Sequence, residues 1–269
     1  MNGRVLIIAG SDSGGGAGIQ ADIKSVSALG GFAMTAITAL TAQNTLGVHA
    51  IHPVDADFIA QQMAVVLDDI GADCLKTGML HNVEVIEVVA DMIARKAAGL
   101  PLVADPVMVA KGGASLLDVA AHSALIERIV PLAAVLTPNA PEAAALTGIE
   151  VGDEPSQQAA GEALRAMGAR AVLVKGGHID GPQIVDLLVT GDGVVRFENP
   201  RLETVHTHGT GCTLASAIAT GLAQGMDLPS AVSRARDFVI AAIAAAPGFG
   251  AGHGPIDHTV TVDPGRIDK

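Results

Sequence analysis

Apolar residues along the chain alternate between short continuous runs and helical repeats. Val5–Ala9 is a short apolar run that ends at Gly10, a pattern typical of a buried strand. Across Asp55–Ile70 the apolar residues recur every three or four positions, which predicts an amphipathic helix. The same patterns predict further strands at Phe32–Leu40, Asp73–Leu75, Leu102–Ala104, Ala133–Leu136 and Ala171–Lys175, and further helices at Gly18–Leu29, Val83–Ala98, Asp118–Ile129, Pro141–Leu146, Gln157–Met167, Cys212–Gln224 and Leu228–Ala245.

A predicted hairpin interrupts this alternation late in the chain. Ile184–Thr190 and Val194–Glu198 flank the turn residues Gly191, Asp192 and Gly193. Elsewhere strands alternate with helices, which predicts the α/β class: a mostly parallel central sheet with helices on both faces, in three layers. No linker, low-complexity tract or repeat divides the sequence, so we expect one domain over residues 1–269. Active-site loops of such sheets lie at the carboxyl ends of the strands.

Composition narrows the function classes. Hydrophobic residues make up 49% of the chain and aromatic residues 2%, so the core must be aliphatic. The net charge of −12 argues against nonspecific binding to nucleic acid or to an anionic membrane, because both need a basic face. Apolar stretches are shorter than the ~20 residues of a membrane-spanning helix. Two cysteines are too few for a disulfide framework, and we expect a soluble, cytoplasmic protein.

The glycine-rich segment 11–18 follows the first predicted strand. Its residues 16–21, GAGIQA, fit the relaxed dinucleotide pattern G-x-G-x-x-A, but that fingerprint also needs an acidic residue about 20 positions further on. The segment from Ser25 to Val54 contains no acid, which argues against a dinucleotide site. Asp22 could reach a ligand in this loop or simply solvate the start of the helix. A P-loop motif is absent, so a phosphotransferase would hold its nucleotide in another way.

A second glycine-rich turn, Gly209-Thr210-Gly211-Cys212, opens a predicted helix. The first N–H groups of a helix lack intrahelical partners and carry a positive potential, so this turn predicts an anion hole. The same field should lower the pKa of Cys212. The thiol could be a nucleophile, a general base or an inert packing residue, and a Cys–His pair with His206 or His208 is a further alternative. Cys74 lies in a strand pattern and is expected to be inert core.

Polar residues follow three predicted strands. Asp105 follows one strand, and Asn139 and Glu142 follow the next. The Asn/Glu pair could be a helix cap, or it could supply oxygen ligands near Mg²⁺ and phosphates, and both can hold together. Lys175 ends a further strand and could neutralise phosphate charge. Lys111, followed by two glycines, could belong to a closing loop.

Six segments together resemble the hydroxymethylpyrimidine/phosphomethylpyrimidine kinases of thiamine biosynthesis, members of the ribokinase-like superfamily. These segments are GSDSGGGAGIQAD (10–22), TALTAQNT (38–45), DPVM (105–108), TPNAPEA (137–143), VKGGH (174–178) and HTHGTGCT (206–213). The resemblance implies a three-layer ribokinase-like fold and ATP-dependent phosphorylation of 4-amino-5-hydroxymethyl-2-methylpyrimidine, and then of its monophosphate. It also implies ATP and Mg²⁺ as cofactors, and a homodimer.

The resemblance also implies residue roles. Cys212 would accept the proton of the substrate hydroxyl, and the phosphoryl group would bind to N–H groups of Gly209, Thr210 and Gly211. Gln43 would bind the pyrimidine edge. Seven other residues would complete the site. Ala17, Asp22 and Met79 would line the pyrimidine pocket, Asp105 and Glu142 would lie near Mg²⁺, and Asn139 and Lys175 would face the ATP phosphates, with Asp105 also on the nucleotide side. Lys111 would belong to a flap.

Three other functions stay open at this point. A pyridoxal kinase would use the same anion hole with a different heterocycle near Gln43 and Asp22. A ligand-binding sensor would keep the pocket without the transfer. A cysteine hydrolase would work without ATP, whereas a kinase requires ATP and Mg²⁺.

Overall fold

A central sheet organises the computed structural model of this chain, which describes residues 1–108, 116, 119–263 and 265. Within these residues the sheet has nine strands in the order β3-β2-β1-β4-β5-β6-β7-β8-β9. The pairs from β2 through β1 to β7 are parallel, whereas β3 and the β8–β9 hairpin pair antiparallel at the two edges. The strands are β1 (Arg4–Asp12), β2 (Phe32–Asn44), β3 (Gly47–Pro53), β4 (Cys74–Thr77), β5 (Leu102–Ala104), β6 (Val135–Leu136), β7 (Val172–Val174), β8 (Gln183–Thr190) and β9 (Gly193–Pro200).

Helices cover both faces of the sheet. They are α1 (Gly18–Ala28), α2 (Ala56–Asp69), α3 (Val83–Lys96), α4 (Val119–Ala124), α5 (Ala140–Thr147), α6 (Glu154–Ala166), α7 (Thr210–Ala223) and α8 (Leu228–Ala244). α4 continues into a π-helical turn, Leu125–Ile129, and a 3₁₀ turn, Val130–Leu132. None of the helices in the described ranges combines the length and apolarity that crossing a bilayer needs.

Two aliphatic cores explain why the helices pack in separate layers. Successive residues of a strand point to opposite faces, and β1 is buried on both. Leu6 and Ile8 contribute to the core beneath α2 and α3, whereas Val5 and Ile7 contribute to the core beneath α7 and α8. The predicted α/β class, three-layer arrangement and hairpin are confirmed.

The main difference from the predicted elements lies at the first sheet edge. β2 runs to Asn44 rather than Leu40, and it pairs with β3, a strand that the sequence pattern did not predict. Most residues of β3 are partly or fully exposed, so no apolar alternation marks it. The resulting two-stranded arm carries Gln43 near its tip.

Candidate active site

A cleft with a cavity volume of about 990 Å³ opens at the carboxyl ends of the parallel strands. Residues that follow β1, β4, β5, β6 and β7 line it, together with the N-terminus of α7. Parallel strands bring these ends to one edge of the sheet, which is why segments distant in sequence meet here. Eleven of the twelve residues predicted as site residues line this cleft: Ala17, Gln43, Met79, Asp105, Asn139, Glu142, Lys175, Gly209, Thr210, Gly211 and Cys212.

The cationic and anionic groups of the cleft meet beside the α7 N-terminus. Lys175 Nζ lies 3.1 Å from Asp105 Oδ1, and the hydroxyl of Thr137 donates to the same oxygen at 3.0 Å. A β-carbon placed on Gly211 would lie 3.4 Å from Lys175 Nζ and 3.7 Å from Asp105 Oδ2. Glycine at position 211 therefore leaves room at the point where free N–H groups, a cation and a carboxylate converge.

Asn139 and Glu142 form a capping box at the start of α5. The Glu142 N–H donates to Asn139 Oδ1 at 2.9 Å, and the Asn139 N–H donates to Glu142 Oε2 at 2.8 Å. Burial raises the pKa of Glu142 to about 7, although the nearby Lys175 ammonium acts in the opposite direction. The capping interpretation is thus confirmed. Both side chains also line the cleft, so capping does not remove them from it.

Cys212 lies in the first turn of α7, and the N–H of Gly18 at the start of α1 acts to lower the pKa of its thiol. The predicted lowering of its pKa is wrong, because burial raises the pKa of this thiol to about 12. The positive charge of Lys76 lowers the pKa of Cys212 but does not offset the loss of hydration. Cys212 is partly exposed and lines the cleft, and its thiol is protonated at neutral pH.

The alternative Cys–His pair is not formed in the structure. His208 Nε2 lies 2.9 Å from Asp12 Oδ2, so this imidazole faces an acid rather than the thiol. Cys74 is a buried core residue, as predicted, and burial raises the pKa of its thiol. Cys212 is therefore the cysteine that a cleft ligand can reach.

The structure places Asp22 outside the predicted pyrimidine pocket. Its side chain is fully buried behind the cleft and accepts from Lys76 Nζ at 2.8 and 2.9 Å. Ser216, one helical turn after Cys212 on α7, donates to the same carboxylate at 2.7 Å. Asp22 sits on the side of α1 that packs toward α7 and β4, and it is not among the residues that line the cleft.

Sequence patterns also missed Lys76 itself, which lines the cleft while being fully buried. One signal was present: a lysine in the middle of an otherwise apolar strand needs a buried counter-charge. The predicted flap around Lys111 lies outside the described residues. Of the pyrimidine-pocket predictions, Ala17, Gln43 and Met79 line the cleft, and Gln43 lies near the tip of the β2–β3 arm.

Comparisons with known proteins converge on one family. The family model described as phosphomethylpyrimidine kinase matches residues 12–257. A hydroxymethylpyrimidine/phosphomethylpyrimidine kinase from Haemophilus influenzae is 51% identical over 259 residues, which cover 95% of this chain and 96% of that protein. The thiamine biosynthesis bifunctional protein ThiED of Geobacter sulfurreducens is 51% identical over 97% of this chain, which spans only 53% of that longer protein.

A solved structure is similar over nearly the whole chain. The ADP complex of Bacillus subtilis pyridoxal kinase superimposes with a TM-score of 0.89 and 36% sequence identity. The match covers 97% of this chain and 98% of that structure.

Proposed function

The chain belongs to the phosphomethylpyrimidine kinase family, and from that membership we propose how its cleft transfers a phosphoryl group from ATP. It is a phosphotransferase of the hydroxymethylpyrimidine/phosphomethylpyrimidine kinase type, which acts in thiamine biosynthesis. The substrate is the hydroxymethylpyrimidine, and its monophosphate is the substrate of a second transfer. The convergence of Lys175, Asp105 and the α7 N-terminus at Gly211 is the observation that supports this chemistry best.

Positioning and charge neutralisation account for most of phosphoryl-transfer catalysis. We assign the N–H groups of Gly209, Thr210 and Gly211 to the transferring phosphoryl group, because the α7 N-terminus opens into the cleft. The Thr210 N–H donates to the Thr207 carbonyl at a long distance of 3.4 Å and would turn from it to the phosphoryl group. Lys175 would bind ATP phosphate oxygens with Asn139 beside it. Gly209 has a φ of +84°, and a side chain there would collide with the carbonyl of Gly16, so this turn requires glycine.

The residues present fit a magnesium site shared with ATP. Asp105 and Glu142 are two buried carboxylates in one cleft, and Mg²⁺ commonly binds to one or two carboxylates together with substrate phosphates and water. No cluster of three or more His, Cys, Asp or Glu suited to a metal occurs among the described residues, so the phosphates must complete the site. When bound, Mg²⁺ would supply positive charge to neutralise the phosphate oxygens.

We propose that Cys212 relays the proton of the attacking hydroxyl. A loose phosphoryl-transfer transition state demands little early proton transfer, so a strong base is unnecessary. Because the resting thiol is protonated, it can act as a relay: the sulfur takes the hydroxyl proton and passes its own proton to a phosphoryl oxygen. The new O–P bond forms as the bond between ATP's γ-phosphorus and the ADP oxygen breaks, and the thiol is restored.

We propose that Gln43, Ala17 and Met79 bind the pyrimidine, since all three line the cleft, on β2 and in the segments that follow β1 and β4. A pyridoxal kinase is the second candidate, favoured by the likeness to the Bacillus subtilis enzyme. ADP release from ATP and Mg²⁺ should be measured with hydroxymethylpyrimidine, its monophosphate and pyridoxal offered separately. Turnover of both pyrimidines supports the proposed function, turnover of pyridoxal alone supports the second candidate, and binding without turnover indicates a sensor. Lys175→Met is the inactive control.

The proposal extends to a cytoplasmic homodimer that is one domain over residues 1–269. Two free thiols are consistent with a reducing compartment. α2 exposes Phe58 and Val65, seven positions apart on one helical face, and such apolar surface is typical of a subunit contact. Sedimentation equilibrium tests the dimer, and a mass that equals one chain at all concentrations would exclude it.

A further inference from the structure

The carboxylate of Asp12 collects hydrogen bonds at the end of β1. Its Oδ1 accepts from the N–H of Gly14 at 2.8 Å, and its Oδ2 accepts from the N–H groups of Gly16 at 3.1 Å and Ala17 at 2.8 Å. His208 Nε2 is a fourth partner at 2.9 Å. Burial raises the pKa of Asp12, but the bonds from His208 and the loop outweigh it, and the net pKa is lowered. An ionised Asp12 therefore sets the shape of the glycine-rich loop.

The bond to Asp12 determines which nitrogen of His208 carries a proton. An ionised carboxylate can only accept, so Nε2 must be the donor. Gln43 Nε2 lies 3.3 Å from this nitrogen, but a protonated ring nitrogen cannot accept from an amide. The Thr41 hydroxyl has one proton; its oxygen lies 2.9 Å from the Ser11 carbonyl and 3.1 Å from Gln43 Oε1. The amide of Gln43 is therefore packed between Thr41 and the His208 imidazole at the surface of the cleft.

The segment 249–258, here named the strap, holds His208 from the opposite side. The His208 N–H donates to the Gly254 carbonyl at 3.1 Å, and Pro255 pairs with His208 as an isolated β-bridge. In the same segment, the His253 N–H donates to the carbonyl of Thr45, at the tip of the β2–β3 arm, at 2.9 Å. The strap thus joins the arm that carries Gln43 to the residue that precedes the anion hole.

The strap also reaches the helix that carries the thiol. His258 Nε2 lies 2.8 Å from the hydroxyl of Thr213, the residue after Cys212. Burial lowers the pKa of His258 to about 4, so this imidazole is neutral and can accept from the hydroxyl. The strap therefore contacts α7 one residue beyond Cys212, besides its contacts with His208 and the arm.

We propose that Asp12 and His208 are positioning residues of the kinase: together they fix Gln43 and the glycine-rich loop against the N-terminus of α7, with the strap as their support. His208 directly precedes Gly209, so a single imidazole is joined to the anion hole by the backbone and to the loop through Asp12. Neither residue is assigned a bond to the reacting atoms. The expected function of the pair is to hold the pyrimidine site in register with the phosphoryl site.

The test compares His208→Ala with His208→Gln by separate KM values for the pyrimidine and for ATP. The alanine variant should raise the pyrimidine KM about tenfold, equivalent to about 1.4 kcal/mol, while the KM for ATP changes less than about twofold. The glutamine variant keeps an N–H donor for Asp12 and should recover most of the affinity. His52→Ala, a change of an exposed histidine on β3, is the matched control and should change neither KM.

Three outcomes would overturn the proposal. The first is a pyrimidine KM that does not change in His208→Ala. The second is an equal rise in both KM values, which would indicate general damage rather than positioning. The third is a glutamine variant no better than alanine. Thermal unfolding of each variant shows whether it is folded at the assay temperature, and Asp12→Asn provides an independent variant in which the KM for the pyrimidine should also rise.

The strap is tested separately. A β-carbon on Gly254 would lie 2.5 Å from His206 Nδ1 and 2.7 Å from the Phe249 carbonyl, so Gly254→Ala must displace the strap. This variant should raise the pyrimidine KM as His208→Ala does, whereas Gly152→Ala, with no described heavy atom within 4 Å of the new carbon, should not. A Gly254→Ala enzyme with unchanged KM would remove the strap from the proposal.

The inference rests on the proposed kinase function, and calorimetric binding separates the two. If the wild-type chain binds hydroxymethylpyrimidine but does not phosphorylate it, the proposed function fails. The effect of each variant on positioning is then measured by the dissociation constant of the pyrimidine alone. Equal dissociation constants in wild type, His208→Ala and Gly254→Ala would contradict positioning whether or not the wild type shows turnover.

Discussion

Lys76 Nζ lies 2.8 Å from the carboxylate of Asp22, and both side chains are completely inaccessible to solvent. Their 54-residue separation in sequence joins β4 to α1 beneath the cleft. An ammonium has three N–H donors, and among the described residues only Asp22 accepts from it. A buried ion pair adds little net stability, because both charges lose their hydration. Breaking it, however, leaves one buried charge without a partner.

Lys76→Met should therefore be strongly destabilising. The loss of the cation leaves Asp22 with only the Ser216 hydroxyl, and we expect the free energy of unfolding to fall by about 3–5 kcal/mol. The double variant Lys76→Met/Asp22→Asn removes both charges and should recover most of that loss. Urea unfolding followed by circular dichroism measures both.

A surface ion pair supplies the control for this comparison. Lys96 Nζ lies 2.6 Å from Asp68 Oδ1, and both side chains are at least one-third exposed. Lys96→Met should cost less than about 1 kcal/mol, because water screens exposed charges. A double variant at Lys76 and Asp22 as unstable as Lys76→Met would show that packing, not charge, determines the effect.

Cys212→Ala should lower kcat at least about 100-fold, the usual contribution of a positioned proton-transfer group. The dissociation constant for ATP should change less than about twofold, since the anion hole is backbone and Lys175 is intact. Stopped-flow ATP binding and steady-state ADP release give the two values. Cys74→Ala, a change of the other cysteine within the core, is the control and should retain kcat. Equal kcat in Cys212→Ala and wild type would remove the thiol from the reaction.

The alkylation rate of Cys212 should increase about tenfold per pH unit between pH 7 and 9, because only the thiolate reacts and the pKa is about 12. Iodoacetamide labelling followed by intact-mass spectrometry measures this rate, with Cys212→Ala as the blank. A plateau below pH 9 would mean that the field of the α7 N-terminus outweighs burial, as the sequence alone predicted.

The sequence predicted most elements because apolar periodicity records which face of each strand and helix is buried. β3 was missed for the same reason: residues such as His49 and His52 are exposed, so the strand has no buried face to mark it. The strand-end residues Asp105, Glu142 and Lys175 were predicted correctly as cleft residues, since a parallel sheet gathers its carboxyl ends.

Pairings between distant residues were not predictable from spacing. Asp12 and His208 are 196 positions apart, and nothing local to either residue indicates the partner. The resemblance assigned Asp22 to the pocket, and the helical periodicity that places it beside the apolar stripe does not say which neighbour it faces. The prediction that the pKa of Cys212 is lowered failed for a similar reason. A helix N-terminus can be recognised in sequence, whereas desolvation of the thiol depends on the packed structure.

Binding of Mg²⁺ with nucleotide should weaken as the pH falls below about 7. Burial raises the pKa of Glu142 to about 7, so below that pH the metal must displace a proton from the carboxyl group. Each pH unit below 7 should therefore lower the affinity for Mg²⁺ by up to about tenfold. Glu142→Gln keeps an oxygen for the capping box but cannot titrate. Titration calorimetry of Mg²⁺ into enzyme with the nonhydrolysable analogue AMP-PCP, from pH 6 to 8, gives both profiles.

The glutamine variant also separates the titration of Glu142 from that of the nucleotide phosphates, which titrate in the same pH range. Any pH dependence that remains in Glu142→Gln belongs to the other groups, and the difference between the two profiles belongs to Glu142. We expect the variant to bind Mg²⁺ more weakly at pH 8, where wild-type Glu142 is ionised, and the two proteins to converge near pH 6. Parallel profiles with equal slopes would show that Glu142 acts only as the α5 cap and leaves the metal to Asp105 and the phosphates.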